Sequence, residues 1–141
     1  MSSRVTACPS CGTKNRVPVT SPGRPQCARC HTSLPWLVDA GDGDLAGALD
    51  TSHLVLVDLW APWCQPCRLV APVLERLAVR YAGRVKVVKV NVDDNPQAAA
   101  RFSASSIPTL AMVRGGETVG RVVGAQPENV LTQRIEALLA G

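Results

Sequence analysis

Cysteines occur in this 141-residue chain as three Cys-x-x-Cys pairs: Cys8/Cys11, Cys27/Cys30 and Cys64/Cys67. One spacing supports two chemistries. Two thiolates separated by two residues can both reach a tetrahedral metal ion, at Zn–S distances near ~2.3 Å. The same pair at the start of a helix is a redox dithiol, its first sulfur activated by the helix dipole. The surroundings of each pair decide between these two.

The first two pairs are separated by 15 residues, within the four-cysteine zinc pattern. Cys8-Pro9-Ser10-Cys11-Gly12 has the form of a knuckle, a turn that aims backbone amides at the thiolates. Residues 1–34 carry Arg4, Lys14, Arg16, Arg24 and Arg29, with no acidic and no aromatic residue. Their apolar side chains are few beyond Val5, Val17, Val19 and Leu34. Such a segment needs a metal or disulfides to hold a shape. One structural Zn²⁺ per chain, held by Cys8, Cys11, Cys27 and Cys30, is expected; two disulfides or free thiols are the bland alternative. Cys27-Ala28-Arg29-Cys30-His31 also fits the haem-attachment pattern, but that reading leaves Cys8 and Cys11 without a role. Four thiolates and one Zn²⁺ reduce the segment's +5 to about +3. With no aromatic residue for base stacking, nucleic-acid binding is disfavoured.

The third pair lies in Trp60-Ala61-Pro62-Trp63-Cys64-Gln65-Pro66-Cys67. An apolar run precedes it and a helical pattern follows, the setting of a catalytic dithiol. Cys64 opens the helix and is the expected nucleophile; Cys67, one turn in, is the expected resolving thiol. Asp58 interrupts the apolar run Leu54–Trp60 six residues before Cys64. Desolvation there raises a carboxyl pKa, so Asp58 can accept the Cys67 proton as general base. Lys89 is its candidate charge partner. Pro108 opens a strand; if its bond is cis, the backbone at Ile107 can dock an extended peptide beside Cys64. Trp60 and Trp63 would add aromatic surface for a protein substrate.

These residues require a scaffold, and the chain supplies α/β alternation. Short strands are expected at residues 36–38, 54–60 and 85–92. Helices are expected at 44–49, from about Cys64 through Tyr81, and at 95–101 with Asn95 as its cap. The long helix contains Pro72, which should kink it. Residues 109–113 and 118–123 flank Arg114-Gly115-Gly116-Glu117, a hairpin signal. Pro127 opens a last helix with Leu131, Ile135, Leu138 and Leu139 on one face. The expected division is a zinc ribbon at 1–34 and an α/β domain at 35–141. Met1 to Cys8 lacks the apolar stretch of a signal peptide, and no apolar run approaches the ~18 residues that span a bilayer. A cytoplasmic, reducing location without a membrane partner is the expectation.

From Trp36 onward the chain resembles the thioredoxin family. The resemblance rests on Val57 to Cys67, Lys89-Val90-Asn91-Val92-Asp93, Ser106-Ile107-Pro108-Thr109 and Val123-Gly124-Ala125. With the four-cysteine segment, the chain is similar to the zinc-containing thioredoxin 2 branch. The resemblance implies a central mixed sheet of about five strands with helices on both faces. It also implies a cis bond before Pro108, reduction by an NADPH-dependent thioredoxin reductase, and oxidised cytosolic proteins as substrates. The activity implied is protein-disulfide reduction; the rival is a redox-sensing zinc protein whose N-terminal module releases its metal on oxidation. Gln65-Pro66 stands where thioredoxins usually have Gly-Pro, and Leu59 where Phe is common. Gln65 is neutral and adds no charge beside Cys64, so a potential nearer ~−270 mV than ~−120 mV is expected.

Overall fold

The computed structural model describes residues 3–141. Met1 and Ser2, the first residues of the expected ribbon, lie outside the described residues. Eleven elements follow in order: β1 Ser3–Ala7, β2 Lys14–Pro18, β3 Leu37–Asp39, α1 Leu45–Leu49, β4 Leu54–Trp60, α2 Gln65–Arg80, β5 Val85–Asn91, α3 Pro96–Arg101, β6 Thr109–Arg114, β7 Glu117–Val123 and α4 Glu128–Ala140. β1 and β2 form an antiparallel two-stranded sheet. The other five strands form one mixed sheet in the order β3-β5-β4-β6-β7. β3 and β4 run parallel to β5, while β6 pairs antiparallel with β4 and β7.

β4 is central and buried on both faces, which is why its sequence is a near-continuous apolar run. Its pleat sorts side chains between two cores. Val55, Val57 and Leu59 pack with α1, α3 and the four-cysteine segment. Leu54 and Leu56 pack with α2 and α4. Asp58 has the parity of Leu54 and Leu56, so it points to the α2 side. On β5, Lys89 has the parity of Val85 and Val87 and shares that side, whereas Lys86 points to the other.

The four-cysteine segment does not stand apart. Val17, Val19 and Leu34 are buried in the same core as Trp36, Val38, Ala48 and Leu49. Gly47 lies so close to Thr20 that a Cβ there would come within 2.9 Å of its methyl group. The link reaches into the sheet: Lys86 is 0 % exposed, and its ammonium donates to the carbonyls of Val19 and Ala48, both at 2.7 Å. The Trp36 ring lies 5.2 Å from the same nitrogen. Burial pushes the Lys86 pKa down to about 8, and the two carbonyls and the indole face offset part of that cost.

One expectation changes. Asn95 sits at the start of α3, but its side chain does not cap the helix. Asp42, over fifty residues earlier, accepts from the Gln97 and Ala98 amides instead, while Asn95 Oδ1 accepts from the Asp42 amide. A cap brought by tertiary packing displaced the local one. α2 runs from Gln65 to Arg80 with Pro72 inside it. The hairpin is as expected: Gly115 and Gly116 join β6 to β7 with φ of 59° and 81°, which side chains rarely adopt.

Candidate functional sites

The four-cysteine cluster is built from two copies of one turn. In the first, the Cys8 amide donates to the Thr13 carbonyl and the Gly12 amide to the Cys8 carbonyl. In the second, Cys27 donates to Thr32 and His31 to Cys27. The copies carry Cys8-x-x-Cys11-Gly12-Thr13 and Cys27-x-x-Cys30-His31-Thr32. Gly12 and His31 hold equivalent left-handed positions, φ 78° and 65°. The second copy thus places a histidine where the backbone favours glycine.

The two turns face each other. Cys8 Sγ lies 3.5 Å from Cys30 Sγ, and Cys11 Sγ 3.6 Å from Cys27 Sγ. All four sulfurs fall within 4.8 Å of one another. A tetrahedron with bonds of ~2.3 Å has edges of about 3.8 Å, so the cluster fits a four-thiolate ion. Backbone amides of Cys30 and Arg29 and the Asn15 amide pull the Cys27 pKa down to about 6, against an opposing desolvation. Asn15 is buried and bonds both the Cys27 sulfur and the Ala28 amide. Cys8 and Cys27 are buried; Cys11 and Cys30 are exposed. These residues could hold a metal ion.

Cys64 and Cys67 form a disulfide, their Cα atoms 5.3 Å apart. Cys64 is the N-cap of α2, and its sulfur accepts from the Cys67 amide at 3.2 Å. Pro66 occupies the first turn, where a missing donor is harmless. Cys64 and Cys67 are buried alike, so in the disulfide form exposure does not distinguish them. What does is position at the helix terminus, where unpaired amides favour a thiolate at Cys64.

Asp58 lies on β4, two residues before Trp60, 1 % exposed, with neither carboxylate oxygen hydrogen-bonded among the described residues. Desolvation dominates and raises its pKa to about 6, partly offset by Lys89. The expected pairing with Lys89 is present: Lys89 Nζ stands 3.9 Å from Asp58 Oδ2 and 5.1 Å from the Trp60 ring. Lys89 also lines a cavity of about 330 Å³ with Trp60, Asn91, Asn95 and Asp39.

The Ile107–Pro108 bond is cis. Half-buried Ile107 packs against the cluster of Ala61, Cys64 and Cys67, as does half-buried Trp60. Trp63 is 68 % exposed, and its indole nitrogen donates to Asp93. The structure thus brings Asp58, Trp60, Trp63, Cys64, Cys67, Ile107 and Pro108 to one end of the sheet. It adds Asp93 and Arg68, which sequence reasoning did not assign. No spacing rule points to a partner for Trp63 thirty residues away.

Comparison with known proteins agrees with this geometry. The family model described as thioredoxin matches residues 44–137. Thioredoxin 1 of Nostoc sp. is 54% identical over 88 residues, 62% of this chain and 82% of that protein. The thioredoxin of Synechocystis sp. is 50% identical over 91 residues, covering 64% and 85%. That of Haemophilus influenzae is 46% identical over 95 residues, covering 67% and 89%. Residues 1–43, and with them the four-cysteine cluster, precede the family match. No helix among the described residues is long and apolar enough to cross a membrane. Over its α/β portion the chain belongs to the thioredoxin family of thiol-disulfide oxidoreductases.

Proposed function

We propose that this protein reduces disulfides of cytoplasmic proteins, with Cys64 as nucleophile and Cys67 as resolving thiol. The observation that carries the reading is the dithiol at the N-terminus of α2, which follows the strand that buries Asp58. The Cys64 thiolate attacks one sulfur of a substrate disulfide, forming a mixed disulfide and releasing a substrate thiolate. Asp58 takes the Cys67 proton, and the 330 Å³ cavity beside Lys89 gives that proton a way to water. The Cys67 thiolate then attacks the Cys64 sulfur and expels the second substrate thiolate. Two electrons pass from the dithiol to the substrate. Trp60, Trp63 and the Ile107 backbone before cis-Pro108 form the docking surface for an extended peptide.

A disulfide substrate and a thioredoxin reductase are the partners this family membership implies; in this reading the reductase draws on NADPH. Cys8, Cys11, Cys27 and Cys30 hold one Zn²⁺ in a ribbon at residues 1–34, placing the chain in the thioredoxin 2 branch, with the catalytic domain at 35–141. Bound zinc supplies a crosslink between the two knuckle turns and no redox step. Exposed Cys11 and Cys30 favour one second reading, oxidative release of that metal.

Cys67→Ser tests the assignment. It should accumulate as a dithiothreitol-sensitive adduct with oxidised substrate, because the mixed disulfide cannot be resolved. Capture by Cys64→Ser instead would reverse the two roles. Metal analysis of reduced protein should find one zinc per chain, and its absence would remove the ribbon reading.

A further inference from the structure

Arg68 makes a contact that the exchange chemistry does not use. Its Nε and one terminal nitrogen both donate to the Pro62 carbonyl oxygen, at 3.1 and 2.6 Å. Pro62 precedes Cys64 by two residues, and Arg68 follows Cys67 by one. The side chain therefore closes a bracket around Trp63-Cys64-Gln65-Pro66-Cys67, tying the entry loop to the first turns of α2. Such a charge-assisted, two-pronged contact is stronger and more directional than a single neutral hydrogen bond.

We propose that Arg68 is a positioning residue that holds Cys64 close to Cys67 whenever the bond between them is open. In the disulfide the covalent link sets the separation. Once it is reduced, the loop carrying Cys64 is held to α2 by the chain itself, by the Arg68 amide on the Cys64 carbonyl and the Cys67 amide on the Cys64 sulfur, and by the Arg68 side chain on Pro62. Confining the loop raises the effective concentration of the Cys67 thiolate at the Cys64 sulfur. The step served is resolution. A Cys67–Cys64 S–S bond forms, the bond from Cys64 to substrate sulfur breaks, and the substrate leaves as a thiolate with the electron pair.

A cation acting by charge alone would have the opposite effect. Positive charge near Cys64 favours the thiolate, hence the reduced protein, and weakens it as a reductant. A bracket favours ring closure, hence the disulfide, and strengthens it. The sign of the change in redox equilibrium separates the two.

The inference rests on the dithiol reading above, but its equilibrium test does not depend on which cysteine attacks. The full chain is equilibrated in glutathione buffers of graded potential and the fraction of Cys64–Cys67 disulfide is measured. Arg68→Met should lower the equilibrium constant for disulfide formation about three- to tenfold, tenfold being about 30 mV for this couple. Arg68→Lys, which keeps the charge but not the fork, should fall at least as far as Arg68→Met, because the retained charge favours the thiolate. Single-turnover kinetics should show slowed resolution, with little change in the first attack measured in a Cys67→Ser background. Arg68 is exposed, so the fold should tolerate the change, and circular dichroism checks that it does. An unchanged equilibrium constant, or a rise, would overturn the proposal. So would a fall confined to the first attack.

Discussion

The Cys-x-x-Cys spacing occurs in two settings here, and the difference is one of backbone. At Cys8/Cys11 and Cys27/Cys30 the chain turns back on itself through a left-handed residue, Gly12 or His31, and pairs with a second copy of the turn. Four sulfurs then converge into a cluster that could hold a metal ion. At Cys64/Cys67 the chain runs on into a sixteen-residue helix. Among the described residues no second pair faces it, and the two sulfurs bond each other. Spacing sets the reach between two thiols, while the structure that follows the second one sets what they do.

Single substitutions should break this comparison most sharply. Cys64→Ser should reduce insulin-disulfide turnover to background and leave metal content unchanged. Cys8→Ser should do the reverse, losing the metal and the order of residues 1–34 while turnover at low temperature persists. Loss of turnover in both, with the five-stranded sheet still folded by circular dichroism, would mean that the two settings are not separable.

Buried charges give the next test. Asp58→Asn should slow turnover by about 10²–10⁴-fold where proton transfer limits the rate. It should also stabilise the protein, because the folded-state pKa lies near 6 against an ordinary 3.8. Below pH 3.8 both states are protonated and the variant gains nothing. Between 3.8 and 6 the unfolded chain gives up a proton that the fold retains, so the wild type loses stability as pH rises. Above about pH 6 the difference should level off at about 2–3 kcal/mol in urea unfolding. Equal stability at pH 8 would show that Asp58 is not desolvated.

Lys86 is the counterpart of Asp58 on the opposite face. Lys86→Met leaves the Val19 and Ala48 carbonyls without their donor and should cost about 2 kcal/mol. Amide exchange near residues 17–20 should quicken, while the Cys64/Cys67 potential stays as it was. A changed potential would couple the two regions more tightly than this geometry implies.

The smallest effect compares the two knuckles. His31→Gly relieves a left-handed side chain and should stabilise the metal-bound protein by about 1 kcal/mol. Gly12→Ala should cost a similar amount in thermal unfolding. Destabilisation by His31→Gly would show that the imidazole contributes a contact of its own.

The sequence by itself determined the elements of the α/β portion and the chemistry of the dithiol, while β1 and β2 were not read from it. Period-2 and period-3.6 patterns are local properties, so β4, α2, α4 and the Gly115-Gly116 hairpin were legible in it. The same holds for the cysteine pairs and for the isolated Asp58, since a carboxyl inside an apolar run is conspicuous on one line of text. Only the tertiary structure decided the partners. Asp42 rather than Asn95 caps α3, Asp93 holds Trp63, and Lys86 joins the four-cysteine segment to the sheet. The sequence pointed to Lys89 as the charge partner of Asp58 and assigned no partner to Lys86, three residues earlier on β5. Lys86 faces the carbonyls of Val19 and Ala48 and Lys89 the Asp58 carboxylate, because strand pleating sends residues three apart to opposite faces. Which face holds a carbonyl and which a carboxylate depends on segments distant in the chain, and a local pattern does not carry that information.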